Sequence, residues 1–399
     1  MWTNLSIREA RLMPAAGVAI VGIGFTKFTR NPAEARSVGE LAVEACRRAI
    51  DDAGIGVADV DGLLSYSMGD SIPTRDAAGA IGLSEVNWFS DILSGGTFTA
   101  AIVEHAALAI RAGLAKRVVC FRAMNGYSGR RLGQGGEGGP SSNRQFTLPY
   151  GLVAPAEIFG MPARRHMHRY GTKKEQMGAV AVQMRKNASL NERAVRRDPI
   201  TLEQYMASRI IADPYSLFDC CQETDGACAI VVCRADEAAT LRRPPVHLLG
   251  AVLGAGPRPR LPFDGWADMS ESHFATLAQR LYDKTRLGPK DVDVALIYDA
   301  FTWEVIKQLE DFGFCGQGEG GPFVESGAIA AGGSIPVNPH GGLHSEAYVH
   351  GFNHVIEAVQ QLRNDAGVRQ VSNANVALVT GFAFSAGSAM LLGRERADG

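Results

Sequence analysis

At 399 residues the chain exceeds one ordinary hydrophobic core, so two domains or one large fused unit are expected. Its 46% hydrophobic and 21% charged residues are ordinary for a globular protein, and a net charge of −2 gives no field to draw nucleic acid or an anionic membrane. Its seven cysteines, an odd number scattered through apolar runs, read as the reduced thiols of a cytoplasmic protein.

Residues 1–14 are polar and mixed, without the apolar core of a leader peptide. The apolar run 15–25 is too short to span a bilayer and predicts a buried strand over 18–24. Gly22 and Gly24 follow without the third glycine of a dinucleotide fingerprint. Leu41, Ala45 and Ala49 fall at helical spacing within 38–52. A small-residue helix is expected over 95–112 and a buried strand over 116–121. Residues 124–150 are rich in Gly, Ser and Arg and have no apolar period, and a loop that long in a compact domain is usually functional or disordered. Helical character returns over 151–213, so 124–213 reads as an insertion lying over the site. The pairs Arg130-Arg131, Arg164-Arg165 and Arg196-Arg197 read as solvated faces, with a phosphate contact as the alternative. Cys220, Cys221, Cys228 and Cys233 lack the paired spacing of a zinc knuckle, so no metal is expected. Beyond them the pattern predicts strands over 246–254 and 294–298, helices over 272–285, 302–312 and 347–362, and a hairpin of 376–381 with 388–392.

The chain contains itself twice. Asp51, Gly56, Asp59, Val60, Asp61, Leu64 and Tyr66 recur as Asp283, Gly288, Asp291, Val292, Asp293, Leu296 and Tyr298. Gly95, Gly96, Ala101 and Val103 echo Gly341, Gly342, Ala347 and Val349. Copies so far apart indicate a duplicated domain, not a solenoid. Alternating helices and strands predict a layered α/β fold. The halves are residues 15–240, carrying the insertion, and residues 241–399.

Chemistry concentrates in the turn Asn338-Pro339-His340-Gly341-Gly342-Leu343-His344-Ser345-Glu346-Ala347-Tyr348-Val349-His350-Gly351. With Asp225-Gly226-Ala227 and the terminal Gly381-Phe382-Ala383-Phe384-Ser385-Ala386-Gly387, this turn resembles the thiolase superfamily; residues 164–191 resemble its sterol-carrier and lipid-transfer branch. The resemblance covers about residues 18–394 and implies two duplicated βαβαβαββ halves in five layers, αβαβα. Three catalytic groups of that family are exchanged. Its nucleophilic Cys falls on Ile92, in Ile92-Leu93-Ser94-Gly95, its second Cys on about Ala383, and its His on Tyr348. An isoleucine cannot form a thioester.

A subgroup of this branch consists of retro-aldolases acting on steroid side-chain CoA thioesters. Their two tyrosines match Tyr298, in Tyr298-Asp299-Ala300-Phe301, and Tyr348. The resemblance therefore implies a carbon–carbon lyase that cleaves a β-hydroxyacyl-CoA to a 17-ketosteroid and propionyl-CoA. His344 and His350 would support the tyrosines. Gly381, Ala383, Ser385 and Gly387 would bind the thioester and form its oxyanion hole. No cofactor is implied beyond the CoA of the substrate. The subgroup further implies a homodimer paired through the first half and a small OB-fold, zinc-ribbon partner, with residues 124–150 a contact for partner or substrate. Two alternatives stand beside this reading: a non-catalytic subunit that binds lipid acyl-CoA, and an acyltransferase using an unusual nucleophile such as Ser94. Among neighbouring residues, Tyr66 is expected to be structural and Asp299 to cap a helix or assist catalysis. His340 and His344 are expected to bond backbone, and Asp225 and Cys221 to pack between the halves.

Overall fold

The structure is a computed structural model that describes residues 17–129, 131, 143–256, 268–382 and 386–394. The first half runs β1 (Val18–Phe25), α1 (Val38–Ala53), β2 (Gly62–Ser67), α2 (Thr74–Ile81), β3 (Trp88–Leu93), α3 (Ala101–Arg111) and β4 (Val118–Asn125). The insertion supplies α4 (Pro155–Tyr170), α5 (Lys174–Ser189), α6 (Leu202–Met206) and a small hairpin of β5 (Ile210–Ala212) and β6 (Tyr215–Ser216). β7 (Asp225–Arg234) and α7 (Ala235–Ala238) close that half. The second half runs β8 (Val246–Ala255), α8 (Phe274–Thr285), β9 (Val294–Leu296), α9 (Thr302–Asp311), α10 (Gly320–Glu325), α11 (Gly342–Ser345), α12 (Phe352–Arg363), β10 (Val376–Phe382) and β11 (Ala386–Gly393).

Nine strands form one sheet in the order β3-β2-β4-β7-β1-β8-β11-β10-β9. Outward from β1 the next two pairings, to β7 and to β4, are antiparallel, and the pairings of β2 with β4 and β3 are parallel. Outward from β8 the same sequence appears: β11 and β10 antiparallel, β9 parallel, and then a lone parallel bridge from Ala295 to Val337 where a fifth strand would lie. The duplication is thus written in strand order and direction. The halves join where Ala19 and Ile20 pair with His247 and Val246.

Alternation along the strands assigns the layers. Ala19, Val21, Val119, Phe121 and Val231 pack with α1 and α2, whereas Ile20, Val118, Cys120 and Ile230 join the larger core. α3 and α12 both touch strands of both halves, and α8 covers β8 and β11. The order is therefore α1 and α2, the first-half strands of the sheet, α3 and α12, the second-half strands of the same sheet, and α8. α1 starts at a capping box between Ser37 and Glu40 and stops at Gly54, whose φ is 73°. It lies close on β1 because a Cβ at Gly22 or Gly24 would fall 2.1 Å from the Ala49 or Ala45 carbonyl oxygen. Among the described residues no helix is long and apolar enough to cross a membrane.

Two expected helices begin late. The segment at 95 makes a short 3-10 turn, Gly96–Phe98, before α3. The helix expected from residue 347 begins only at Phe352, because His350 and Gly351 take left-handed φ values of 47° and 81° and Tyr348 bridges Glu223 as extended chain.

Candidate active site

Tyr298 leaves β9 and Tyr348 leaves α11, and their hydroxyls meet at 2.8 Å, with either able to donate. Both side chains are buried, at 3% and 6% exposure. Burial, and for Tyr298 also the proximity of Tyr348, pushes both phenols well above their ordinary value, so the pair is neutral. The backbones are pinned by three other elements. Thr380 of β10 accepts from the Tyr298 amide at 2.9 Å, and Gln308 of α9 donates to the Tyr298 carbonyl at 2.7 Å. Thr224, just before β7, accepts from the Tyr348 amide at 2.9 Å and donates to its carbonyl at 3.2 Å. Gly96 lies under the Tyr298 hydroxyl: a Cβ there would sit 2.2 Å from that oxygen. The repeat therefore has a chemical consequence. The glycine turn of the first half makes room for the tyrosine of the second.

His344 is held away from the tyrosine pair. Its Nδ1 meets Asp299 at 3.0 Å and its Nε2 meets the Asp219 carbonyl at 2.9 Å, so neither nitrogen is left for substrate. It is a brace for the turn. Asp299 also accepts from the Leu343 amide at 2.8 Å and does not cap α9, whose N-cap is Phe301. His340 bonds the ring of His354 at 3.0 Å, not backbone. The insertion clasps the same turn: Arg196 and Val195 amides donate to the Ser345 and Glu346 carbonyls at 3.0 Å. Cys221 joins the halves through its amide to the Ala300 carbonyl, whereas Asp225 serves the turn after β4, accepting from Tyr127 and Ser128. Tyr66 donates to the His350 carbonyl at 2.9 Å, the structural role expected of it.

The His350 ring meets that of Tyr348 edge-to-face, centroids 5.2 Å apart, while Arg122 donates to its Nδ1. Arg122 is a residue the sequence reading passed over. The available signal was a charge inside the apolar run of β4. Glu304 was missed too. Burial, reinforced by the Asp299 charge, raises its carboxyl well above the usual range.

Gly381 and Gly387 are fixed by close approach, since a Cβ would fall 2.4 Å from the Gly96 carbonyl oxygen or 2.2 Å from the Phe274 ring. Ala383 and Ser385 lie outside the described residues. Ile92, one residue before the end of β3, pairs with Tyr66. The Ser94 hydroxyl bonds no base among the described residues, which leaves it without the activation a serine nucleophile needs.

The family described as Thiolase C-terminal domain-like matches residues 263–394. The chain is 41% identical to the 17-hydroxy-3-oxo-4-pregnene-20-carboxyl-CoA lyase of Mycobacterium tuberculosis, over 96% of this chain and 100% of that protein. It is 39% identical to a steroid side-chain-cleaving aldolase of Thermomonospora curvata, over 96% of this chain and 100% of the other. The chain belongs to the steroid side-chain aldolases of the thiolase superfamily. It is a carbon–carbon lyase. The solved Ltp2-ChsH2(DUF35) aldolase superposes with a TM-score of 0.89 at 39% identity, covering 96% of this chain and 98% of the other. Human mitochondrial 3-ketoacyl-CoA thiolase, at 13% identity and a TM-score of 0.69, shares the fold.

In this aldolase a group of cations lies beside the site. Arg30 and Arg131 stand over the Tyr127 ring at 5.0 and 4.4 Å, and Arg30 and Arg196 both donate to Gln222. Burial and then the charge of Arg196 depress both Arg30 and Arg185. None of Arg30, Arg131, Arg185 and Arg196 has an ion-pair partner among the described residues. Arg185 also borders an open cavity of about 630 Å³ with Arg209 and Phe218.

Proposed function

We propose that this enzyme cleaves the side chain of a steroid whose ring hydroxyl is β to a CoA thioester, giving a 17-ketosteroid and propionyl-CoA. The observation that carries the reading is the hydroxyl pair of Tyr298 and Tyr348, 2.8 Å apart and neutral. A retro-aldol reaction moves one proton from the β-hydroxyl to the α-carbon. The hydroxyl proton passes to one tyrosine oxygen as that tyrosine hands its own proton to the other. The electron pair of the breaking carbon–carbon bond enters the thioester as an enolate, leaving the ketone. In the same movement the second tyrosine gives its own proton to the α-carbon, so neither phenol carries two protons at any stage. Neither phenol ends ionised, which suits two groups whose burial opposes charge. The 2.8 Å contact allows either tyrosine to stand first.

The balance needs no oxidant and no resident cofactor; CoA enters as part of the substrate. The enolate oxygen needs donors, and the turn joining β10 to β11, from Gly381 through Ala383 and Ser385 to Gly387, is one proposed source. Arg30, Arg131, Arg185 and Arg196, which have no ion-pair partner among the described residues, suit the phosphates of CoA. Two relatives act on steroids by name, and the name of the solved relative joins Ltp2 to ChsH2(DUF35). A small OB-fold, zinc-ribbon partner and a homodimer core belong to the same reading, as does a cytoplasmic setting.

The experiment supplies the protein and such a partner with a 17-hydroxy steroid bearing the three-carbon CoA side chain. Equal amounts of 17-ketosteroid and propionyl-CoA are expected, and an intact thioester overturns the reading. The pantetheine thioester, which lacks the nucleotide phosphates, should show KM raised about 10–100-fold at similar kcat, the effect of losing one or two charge-assisted hydrogen bonds.

A further inference from the structure

We infer that Arg122 and Asp70 are positioning residues that lock His350 as a neutral Nε2–H donor facing the tyrosine pair. The inference rests on the retro-aldol reading for its chemical use, but the lock itself rests on geometry. Arg122 reaches the Nδ1 of His350 through Nε at 3.1 Å and Nη2 at 2.7 Å. A guanidinium has donors and no acceptor, so Nδ1 must offer its lone pair and the ring proton must sit on Nε2. Most orienting partners of a histidine are carboxylates or carbonyls, which make the ring more basic. Here the partner is a cation, and the sign reverses: burial and then the Arg122 charge push the ring down to about 3.

The lock is built from both ends. The Arg122 side chain is wholly buried, and Asp70, on the loop after β2, holds its Nη2 at 2.6 and 2.8 Å. The His350 carbonyl accepts from Tyr66 at 2.9 Å and from Thr99 at 2.6 Å, which fixes the backbone in its left-handed conformation, φ 47°. The titratable groups facing the ring are Arg122 from β4, Asp70, and Tyr348, with Tyr66 at its carbonyl. The free nitrogen points where chemistry is expected. A Cβ at Gly95 would lie 3.5 Å from His350 Nε2, one residue from the Gly96 that underlies the Tyr298 hydroxyl. No protein group among the described residues takes the Nε2 proton. The thioester oxygen of a substrate at the tyrosines would take it, and the enolate formed on cleavage would take it more strongly. His350 is thus a donor at every working pH and never a base.

Nuclear magnetic resonance of protein labelled with ¹⁵N at histidine tests the lock without turnover. The His350 signals, assigned by their loss in His350→Gln, should show the Nε2–H tautomer unchanged between about pH 5 and 8. A ring titrating near the ordinary value of about 6.5, or protonated at Nδ1, overturns the inference. In Arg122→Gln the ring should titrate higher than in the native protein, with burial still holding it below about 6.5, and kcat should gain an acid limb between about pH 5 and 8 that the native enzyme lacks, with KM unchanged. Asp70→Asn, at a partly exposed position, keeps the guanidinium and guards against misfolding of that variant; its kcat should fall about 10-fold with a flat pH profile. An acid limb in Asp70→Asn counts against the lock. A correct tautomer in a protein that leaves the steroid thioester intact would sink the retro-aldol reading alone.

Discussion

By the family resemblance Tyr348 falls where thiolases keep a histidine, and its phenol shares one hydrogen bond with Tyr298. Tyr348→Phe keeps the ring and removes the relay. Its kcat should fall about 10²–10⁴-fold while substrate affinity measured by titration stays within a few-fold. Full activity in that variant would remove the relay from the mechanism. The pH profile follows from the same geometry. Both phenols are raised by burial, so the protonated pair persists upward through neutral pH, and an alkaline loss of rate from them should appear only above about pH 10. These two tyrosines were proposed from the sequence because the family resemblance pointed at both; the internal repeat marked only Tyr298, as the mate of Tyr66. Arg122, Glu304 and Thr224 were not, because nothing local tells a buried strand charge or a loop threonine which backbone it will meet.

At the scale of elements, the glycine turns decide the site. Gly342, with φ of 65°, passes so close to Asp299 that a Cβ would lie 2.0 Å from its carboxylate, and that approach lets Leu343 and His344 bond the same side chain. Gly96 does the equivalent service for Tyr298. Gly96→Ala must displace the tyrosine hydroxyl, and a shift on the order of 1 Å should cost about 10²-fold in kcat with the melting temperature little changed. Unaltered kcat would show that the hydroxyl position is not critical. The helix expected from residue 347 shows why such turns resist reading. Ala347, Tyr348 and Val349 are compatible with helical spacing, but the bridge to Glu223 and the left-handed His350 hold them extended. Both depend on β7 and β2, which are remote in sequence.

For the whole molecule, the sheet ends on β3, whose Phe89 and Leu93 are 53% and 86% exposed. An open edge with apolar side chains is a pairing surface, and it supports the homodimer proposed through the first half. Sedimentation should give twice the monomer mass, and Phe89→Lys with Leu93→Lys should shift the protein towards monomer. A native protein that sediments as a monomer would refute that pairing. The proposed CoA substrate is a polyanion and the chain has a net charge of −2; Arg30, Arg131, Arg185 and Arg196, without ion-pair partners among the described residues, form a local cluster that suits it.

Periodicity and the repeated Asp, Gly and Tyr positions were enough to establish a duplicated, layered α/β chain, because burial of alternating or helical faces is a local pattern that survives in one dimension. The exchange of Cys and His for Ile92 and Tyr348 is likewise an inference from the sequence, drawn from residue type at positions matched by resemblance. The meeting of the two tyrosine hydroxyls, the retirement of His344 to a brace and the pairing of Arg122 with His350 were decided only in the fold. Each joins side chains from separate strands and turns, and a hydrogen bond depends on an ångström-scale separation that sequence spacing does not encode.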